Sequence, residues 1–367
     1  MRDPLSALRS RARLLSRTLL GPGLEAIRRT CAPSSSFGPA GGWTPVEFLV
    51  GANLPWVSYG NDFGASAWFP NGGLAASAAG RAAADRALGE AAERGLEVVR
   101  WLVLCDGRAG IRFDDRGAPV GLDDRLPADL DAALDLARRR NLRLLLVLFD
   151  FPWCRPPRVV SGVQLGGRRD VIARRSMRRA LAENVAAPLF EALGREPAVF
   201  GWDLCNEPEW FTWGFGGYRR DLVAPWAVRD WLAGLARLAR RHARQPVTVG
   251  LADVEGLPLC RGLPLDFYQV HWYEHLEPLV PLERPVAAFR PDRPVLLGEL
   301  PTRAGRSPAA LLDAARGAGY AGALFWSLLA RDPASSWAEA RDRLRQGDEV
   351  IGHSAVRPSA LSPRASG

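Results

Sequence analysis

Eight apolar runs of strand length recur along the chain, and most of the gaps between them carry a helical period. The runs cover residues 46–56, 96–106, 142–150, 199–207, 247–253, 266–273, 294–302 and 322–329. Helices are expected over 75–94, 127–140, 178–193, 225–242, 308–318 and 333–344. Several open at proline, which suits a first turn whose N–H groups have no intrahelical partner. The gaps after the fifth and sixth runs are short or irregular. Residues 142–149, Leu-Arg-Leu-Leu-Leu-Val-Leu-Phe, lack the alternation of a strand with one wet face, so both faces must be covered, as in a parallel sheet flanked by helices. Eight such units over about 300 residues predict a single closed (β/α)8 TIM barrel. The rival, a doubly wound open sheet, usually has a glycine-rich phosphate turn after its first strand. Here Asn53-Leu54-Pro55-Trp56 stands in that place.

Composition agrees with a large globular domain. Of 367 residues, 47% are hydrophobic and 24% charged, which excludes wholesale disorder and gives no support to a membrane-embedded chain. The net charge of +8 would ordinarily raise nucleic acid as a partner. Sorting it by position removes that argument. Residues 1–41 hold seven Arg against Asp3 and Glu25, the last seventeen residues hold Arg357 and Arg364 with no acid, and the segment between is almost neutral. The expected organisation is a basic N-terminal extension and linker over 1–45, the (β/α)8 barrel over 46–345 and a tail over 346–367. The extension lacks the roughly 7–15-residue apolar core of a secretory signal. No integral membrane segment approaches the roughly 20 apolar residues of a span. A cytoplasmic protein is expected, with a transit peptide or a peripheral membrane contact through the basic N-terminus as alternatives. Five cysteines (31, 105, 154, 205 and 260) show no CxxC spacing, so reduced thiols are expected rather than a disulfide framework or a zinc site.

In a barrel of this kind the chemistry gathers where the strands end. The polar and aromatic residues there are Asn53, Trp56, Arg100, Asp106, Asp150, Trp153, Asn206, Glu207, Asp253, His271, Tyr273, Glu299 and Trp326. Glu207 and Glu299 stand out, because an ionised carboxylate closing an apolar strand is costly to desolvate. A buried ion pair, for instance with Arg100, would account for such a residue on structural grounds. Two carboxylates converging on one barrel mouth also suit hydrolysis of a glycosidic bond, one protonating the leaving oxygen while the other attacks or activates water. Aromatic residues near the same ends, Trp56, Trp153, Trp210, Phe211, Trp213 and Trp326 among them, offer faces on which sugar C–H groups stack. Trp101 and Trp202 are expected in the core.

Asn206-Glu207-Pro208, His271-Trp272-Tyr273, Gly298-Glu299 and Phe325-Trp326-Ser327, in this order on strands four, six, seven and eight, resemble the signature of the clan A (β/α)8 glycoside hydrolases. The likeness is greatest to the family 5 cellulase and mannanase group and spans residues 46–345. It implies a retaining double displacement without cofactor or metal. By that resemblance Glu207 is the acid/base, Glu299 the nucleophile, and Asn206 the partner of the sugar 2-hydroxyl. Arg100 keeps the nucleophile ionised, Tyr273 touches it, His271 lines the site and Trp326 floors it. Trp56, Trp153 and Trp210 join them as substrate-binding candidates. The family commonly carries a His near the end of strand three, whereas this chain has Asp150, so that contact is missing or supplied by Asp150. The implied partner is an oligosaccharide, glycan or glycolipid, and the alternatives are a carbohydrate-binding barrel without turnover or a transglycosidase.

Two local features remain. Residues 155–179 contain eight Arg against Asp170 alone. This loop is a candidate for recognising an anionic group on the substrate, with Arg168 and Arg169 as the residues to replace; a solvated start to the third helix is the alternative. His271 and His275 are spaced as a helical metal pair but fall on a strand and its loop, so zinc is not expected.

Overall fold

The computed structural model describes residues 43, 47–216, 222–329 and 332–337. The basic extension with its linker and Cys31, the tail, and most of the helix expected at 333–344 lie outside the described residues.

Eight parallel strands close a barrel: β1 (Leu49–Asn53), β2 (Val98–Leu102), β5 (Arg143–Asp150), β8 (Val199–Asn206), β9 (Val247–Leu251), β10 (Tyr268–His271), β11 (Val295–Pro301) and β12 (Gly322–Trp326). Each of the eight apolar runs supplies one strand, shortened at the ends where the backbone turns into loops. Two hairpins, β3 (Ile111–Phe113) with β4 (Pro119–Leu122) and β6 (Arg158–Val160) with β7 (Val163–Leu165), decorate the loops after β2 and β5. Outer helices include Ala78–Glu93, Leu126–Arg139, Pro225–His242 and Pro308–Gly317, close to their expected bounds. The helix expected at 178–193 starts earlier, as Arg169–Ala173 and Arg175–Leu181, and reaches Ala187–Leu193 through one widened turn at Ala182–Ala186. Apolar periodicity fades over that Arg-rich start, so the pattern located only its second half.

Side-chain direction alternates along the strands, reset on β8 by a register shift between Val199 and Gly201, and explains the continuous apolar runs. Outward residues such as Val99, Trp101, Leu144, Leu146, Trp202 and Leu204 pack under the helices. Inward residues build the barrel interior in layers. The lowest is apolar, with Leu49, Val98, Leu145, Phe200, Phe267, Leu296 and Leu324, and is closed from below by Trp43, whose ring meets Phe267 at 4.7 Å and Phe200 edge-on at 5.9 Å. The layer above is polar, and Arg100 lies at its centre.

Loops on the face where the strands end are tied down by buried carboxylates. Asp129, in the first turn of its helix, accepts from the backbone N–H groups of Gly64 and Ala75 at 2.8 and 2.7 Å, fixing the long loop after β1. Asp62 takes the N–H groups of Val57 and Ser58 and the Trp101 indole. Its burial raises its pKa to about 6 against the pull of these donors. The described cysteines, 105, 154, 205 and 260, are free thiols. Among the described residues no helix is long and apolar enough to cross a membrane.

Because Phe200 fills the narrow end of the barrel, Phe200→Ala should cost about 3–5 kcal/mol, read as a lowered urea midpoint with unchanged far-ultraviolet circular dichroism.

Candidate active site

The polar layer is organised by one cation. Arg100 is wholly buried, and its Nε donates to Asp203 Oδ2 at 2.9 Å. Its Nη1 donates to Asn53 Oδ1 and to Glu299 Oε1, both at 3.0 Å, and its Nη2 to Asn206 Oδ1 at 2.7 Å. Burial opposes the charge, but Asp203 and Glu299 more than offset it and the guanidinium pKa stands above its ordinary value. Asp203 is saturated in turn, accepting from Gln269 Nε2 at 2.9 Å and from the Gly250 backbone at 3.0 Å. Space for this layer depends on two glycines. A Cβ on Gly250 would sit 2.8 Å from Arg100 Nη2, and one on Gly298 would sit 2.6 Å from Gln269 Oε1.

Two register shifts bring the carboxylates out over that layer. One lies between Asp203 and Asn206 along β8 and β9, the other between Leu297 and Leu300 along β11 and β12. Irregularities of this kind re-aim side chains near barrel rims. Glu207 follows the first, with φ 48° and ψ 53°, a left-handed conformation that costs a non-glycine residue about 1–3 kcal/mol. Its N–H bonds the Gly250 carbonyl at 2.7 Å, which helps hold the turn.

The two carboxylates face each other across His271. One ligand atom each from Glu207, His271 and Glu299 lies within 4.8 Å of the others. His271 Nδ1 is 3.0 Å from Glu207 Oε1 and 3.5 Å from Glu299 Oε2. Burial pulls the imidazole pKa down, but both carboxylates more than offset this and it stands above its ordinary value. Glu299 also accepts from the Tyr273 hydroxyl at 2.5 Å. Burial pushes its pKa upward, against the lowering pull of His271, Arg100 and that hydroxyl. The Tyr273 phenol is held neutral, well above its ordinary pKa, by burial and by Glu299. Glu207 Oε2 accepts from the Trp210 indole at 2.7 Å. The three donor atoms are close enough to hold a cation, yet Arg100 already supplies positive charge to Glu299 from beneath.

Above them opens a cleft of about 1400 Å³. Its lining includes Asp150, Asn206, Glu207, Trp210, Tyr273 and Glu299. Trp56 and Trp326 line it too, their rings edge to face at 6.0 Å, with the Trp326 indole held by Asp332 at 2.9 Å. A cis peptide bond joins Trp326 to Ser327.

Several expectations need correction. Trp153 does not reach the cleft. It is 1% exposed and packs edge-on against Phe149 at 4.8 Å, because the turn Phe151–Cys154 carries its ring back under the loop. Arg100 and His271 sit beneath the cleft surface, so they act on the carboxylates rather than on a ligand directly. Asp150 lines the cleft, but its oxygens already accept from Asn206 Nδ2 (2.9 Å), Tyr59 OH (2.9 Å) and the Phe151 N–H (2.8 Å). It braces Asn206 rather than simply standing in for a histidine, and burial raises its pKa to about 6. In the 210–213 cluster only Trp210 faces the cleft, since Phe211 and Thr212 are buried and Trp213 points outward. Arg168 and Arg169 also lie off the cleft. Arg168 stacks 3.6 Å over Phe113, and Arg169 pairs with Asp170 at 3.1 Å.

Asp203, Gln269 and Tyr59 were not anticipated. The first two are polar residues inside apolar strands, facing inward like Arg100; parity with Phe267 marks Gln269, while a register shift on β8 hides Asp203.

No protein-family model matches the sequence. The chain is 25% identical over 323 residues to a mannan endo-1,4-beta-mannosidase of Mytilus edulis, covering 76% of this chain and 83% of that one. It is 28% identical over 165 residues to one of Cryptopygus antarcticus, covering 44% and 38%. Solved structures share the fold. The beta-mannanase of Mytilus edulis aligns with a TM-score of 0.67 at 22% identity, over 84% of this chain and 93% of that one. The endo-1,4-beta-mannanase of Eisenia fetida aligns with 0.67 at 23%, over 86% and 94%.

Replacing Arg100 by Met would strand Asp203 and Glu299 in the barrel and should cost about 3–5 kcal/mol at pH 7. Without its cation Glu299 has a still higher folded pKa, so the folded state binds its proton more tightly than the unfolded chain. The loss should therefore shrink as pH falls toward about 4, the ordinary glutamate value. Urea unfolding of both proteins at the two pH values checks this.

Along its barrel the chain is similar in sequence and in fold to the β-mannanases, within the group of clan A (β/α)8 glycoside hydrolases to which its four strand-end motifs point.

Proposed function

We propose that the protein is a retaining β-mannanase, an O-glycosyl hydrolase that cleaves β-1,4-linked mannose chains by double displacement. The observation that carries the mechanism is the distance between the carboxylates. An oxygen of Glu207 and one of Glu299 lie within 4.8 Å. Retaining enzymes need a direct attack on the anomeric carbon and separate their carboxyl groups by about 5–5.5 Å, whereas inverting ones leave room for a water at about 6.5–9.5 Å. The sugar class rests on the likeness to the mannan endo-1,4-beta-mannosidases. A cleft of about 1400 Å³ suits an oligomer better than a single ring, in keeping with internal cleavage.

The roles follow from the donors. Glu299, held by Arg100 and Tyr273, has its negative charge stabilised and attacks the anomeric carbon. Glu207, beside the cleft surface with the Trp210 indole behind it, gives its proton to the glycosidic oxygen and then takes one from the incoming water. Burial, and to a lesser degree the Glu207 charge, pushes the Glu299 pKa up against the pull of His271, Arg100 and Tyr273. His271 Nδ1 adapts to this cycle, since an imidazole nitrogen can accept from a carboxylic acid or donate to a carboxylate. Asn206 has its amide oriented by Arg100 on one side and Asp150 on the other, leaving an N–H for the sugar 2-hydroxyl.

Glu207→Ala and Glu299→Ala should each lower kcat on mannan oligosaccharides by at least about a thousandfold, a loss of the order seen for groups acting in the transition state. Azide should restore turnover of an aryl β-mannoside to at least one of them, and NMR should show the β-anomer as the first product. An α-anomer would exclude double displacement, and retained activity in both variants would exclude these residues. Tyr273→Phe removes a hydrogen bond that lowers the Glu299 pKa. The acid limb of kcat/KM should then move to higher pH, which a pH–rate profile measures directly.

A further inference from the structure

One wall of the cleft carries cations that the proposed chemistry does not use. Arg155 and Arg158 line the cleft from the segment that leads into the β6–β7 hairpin, and both are exposed. Among the described residues no carboxylate lies within ion-pair distance of either. Of their companions in the Arg-rich stretch, Arg169 and Arg174 pair with Asp170, Arg178 with Asp230 and Arg179 with Glu183, Arg168 stacks on Phe113, and the exposed Arg175 lies off the cleft. Arg108, which also lines the cleft, is held by both oxygens of Asp106.

The wall is a fixed structure. The Trp68 indole donates to the Val160 carbonyl at 3.0 Å, and the Gly167 N–H to the Arg155 carbonyl at 2.8 Å. The Arg155 guanidinium lies 4.9 Å over the Phe151 ring, which stands 6.5 Å from Trp210, the residue bonded to Glu207. Two aromatic rings, Phe151 and Trp210, thus connect Arg155 to the proposed acid/base. Other parts of the cleft lining carry acids, and these are engaged: Glu274 accepts from the Gly305 N–H, and Asp332 from Trp326 and the Ala334 N–H. The cleft is therefore polarised, with free positive charge on the hairpin wall. Neutral hydroxyls do not require two unpaired guanidiniums, whereas an oxyanion is bound by them in charge-assisted, often bidentate geometry.

We propose that Arg155 and Arg158 form a specificity subsite for an anionic substituent, a carboxylate or phosphate, on the glycan chain bound in the cleft. This rests on the glycosidase reading for its substrate and on the hairpin geometry for its charge preference. A substituent bound there selects chains whose acidic group falls at a set distance from the cleaved bond.

The test compares three mannose oligosaccharides of equal length: neutral, bearing one uronate, and bearing one phosphate. In the full chain the ratio of kcat/KM for an anionic over the neutral substrate should be about tenfold or more, should fall in high salt, and should drop toward one in Arg155→Gln/Arg158→Gln. Arg155→Lys/Arg158→Lys should recover part of the ratio, which separates charge from folding damage. The arm with the larger ratio identifies the oxyanion. No preference in the full chain, or an equal loss on neutral and anionic substrates in the double variant, overturns the proposal. If none of the three is hydrolysed, calorimetric binding to Glu299→Gln decides separately: a preference for the anionic oligosaccharides that the double substitution removes supports the subsite though the hydrolase reading has failed, and equal binding of all three overturns it.

Discussion

A single buried guanidinium sets the geometry on which this barrel's chemistry depends. Arg100, itself on β2, ties three further strands together from the inside, through Asn53 on β1, Asp203 and Asn206 on β8, and Glu299 on β11. Asn53 extends the network by donating to the carbonyls of Gly298 and Phe325, so the closure of the barrel and the placing of Glu299 share the same bonds. An unpaired charge at such depth would be prohibitive, and each carboxylate around Arg100 would be equally costly without it. The layer therefore works as a unit. Its stability and its electrostatics cannot be varied separately, which is why the interior gives up apolar packing at this level while the layer below stays dry.

This constraint also shows what could be read in the chain and what could not. Strand runs were legible because both faces of a parallel strand are buried, so eight apolar stretches separated by helical periods point to one sheet covered on both sides. Glu207 and Glu299 were legible as carboxylates ending such stretches. Arg100 stood out for the same reason, whereas the inward placing of its partner Asp203 depends on the register shift at the start of β8. Trp153 shows the limit. At the end of β5 it looked like a ligand-facing ring, but one short helical turn at Phe151–Cys154 directs it into the core, and such turns leave little trace in a period. The Arg-rich stretch shows the limit in charge. Only when the hairpin folds do the eight separate into four in ion pairs, Arg168 stacked on a ring, Arg155 and Arg158 on the cleft wall, and Arg175 exposed away from it.

The end of β5 carries the departure that most distinguishes this cleft from the pattern its motifs resemble. Where a histidine is commonly found, Asp150 accepts from Asn206 and Tyr59, and its burial keeps its pKa near 6. Above that pH it is a second negative charge close to Glu207, and the two repel. That repulsion adds to the effect of burial in raising the Asp150 pKa. A histidine there would contribute no negative charge. Asp150 thus holds the Asn206 amide in a single orientation and is itself held by Tyr59 and the Phe151 N–H. Negative charge on the floor and unpaired arginines on the hairpin wall lie in one cleft, so an acidic group on a bound chain would meet repulsion at the first and attraction at the second.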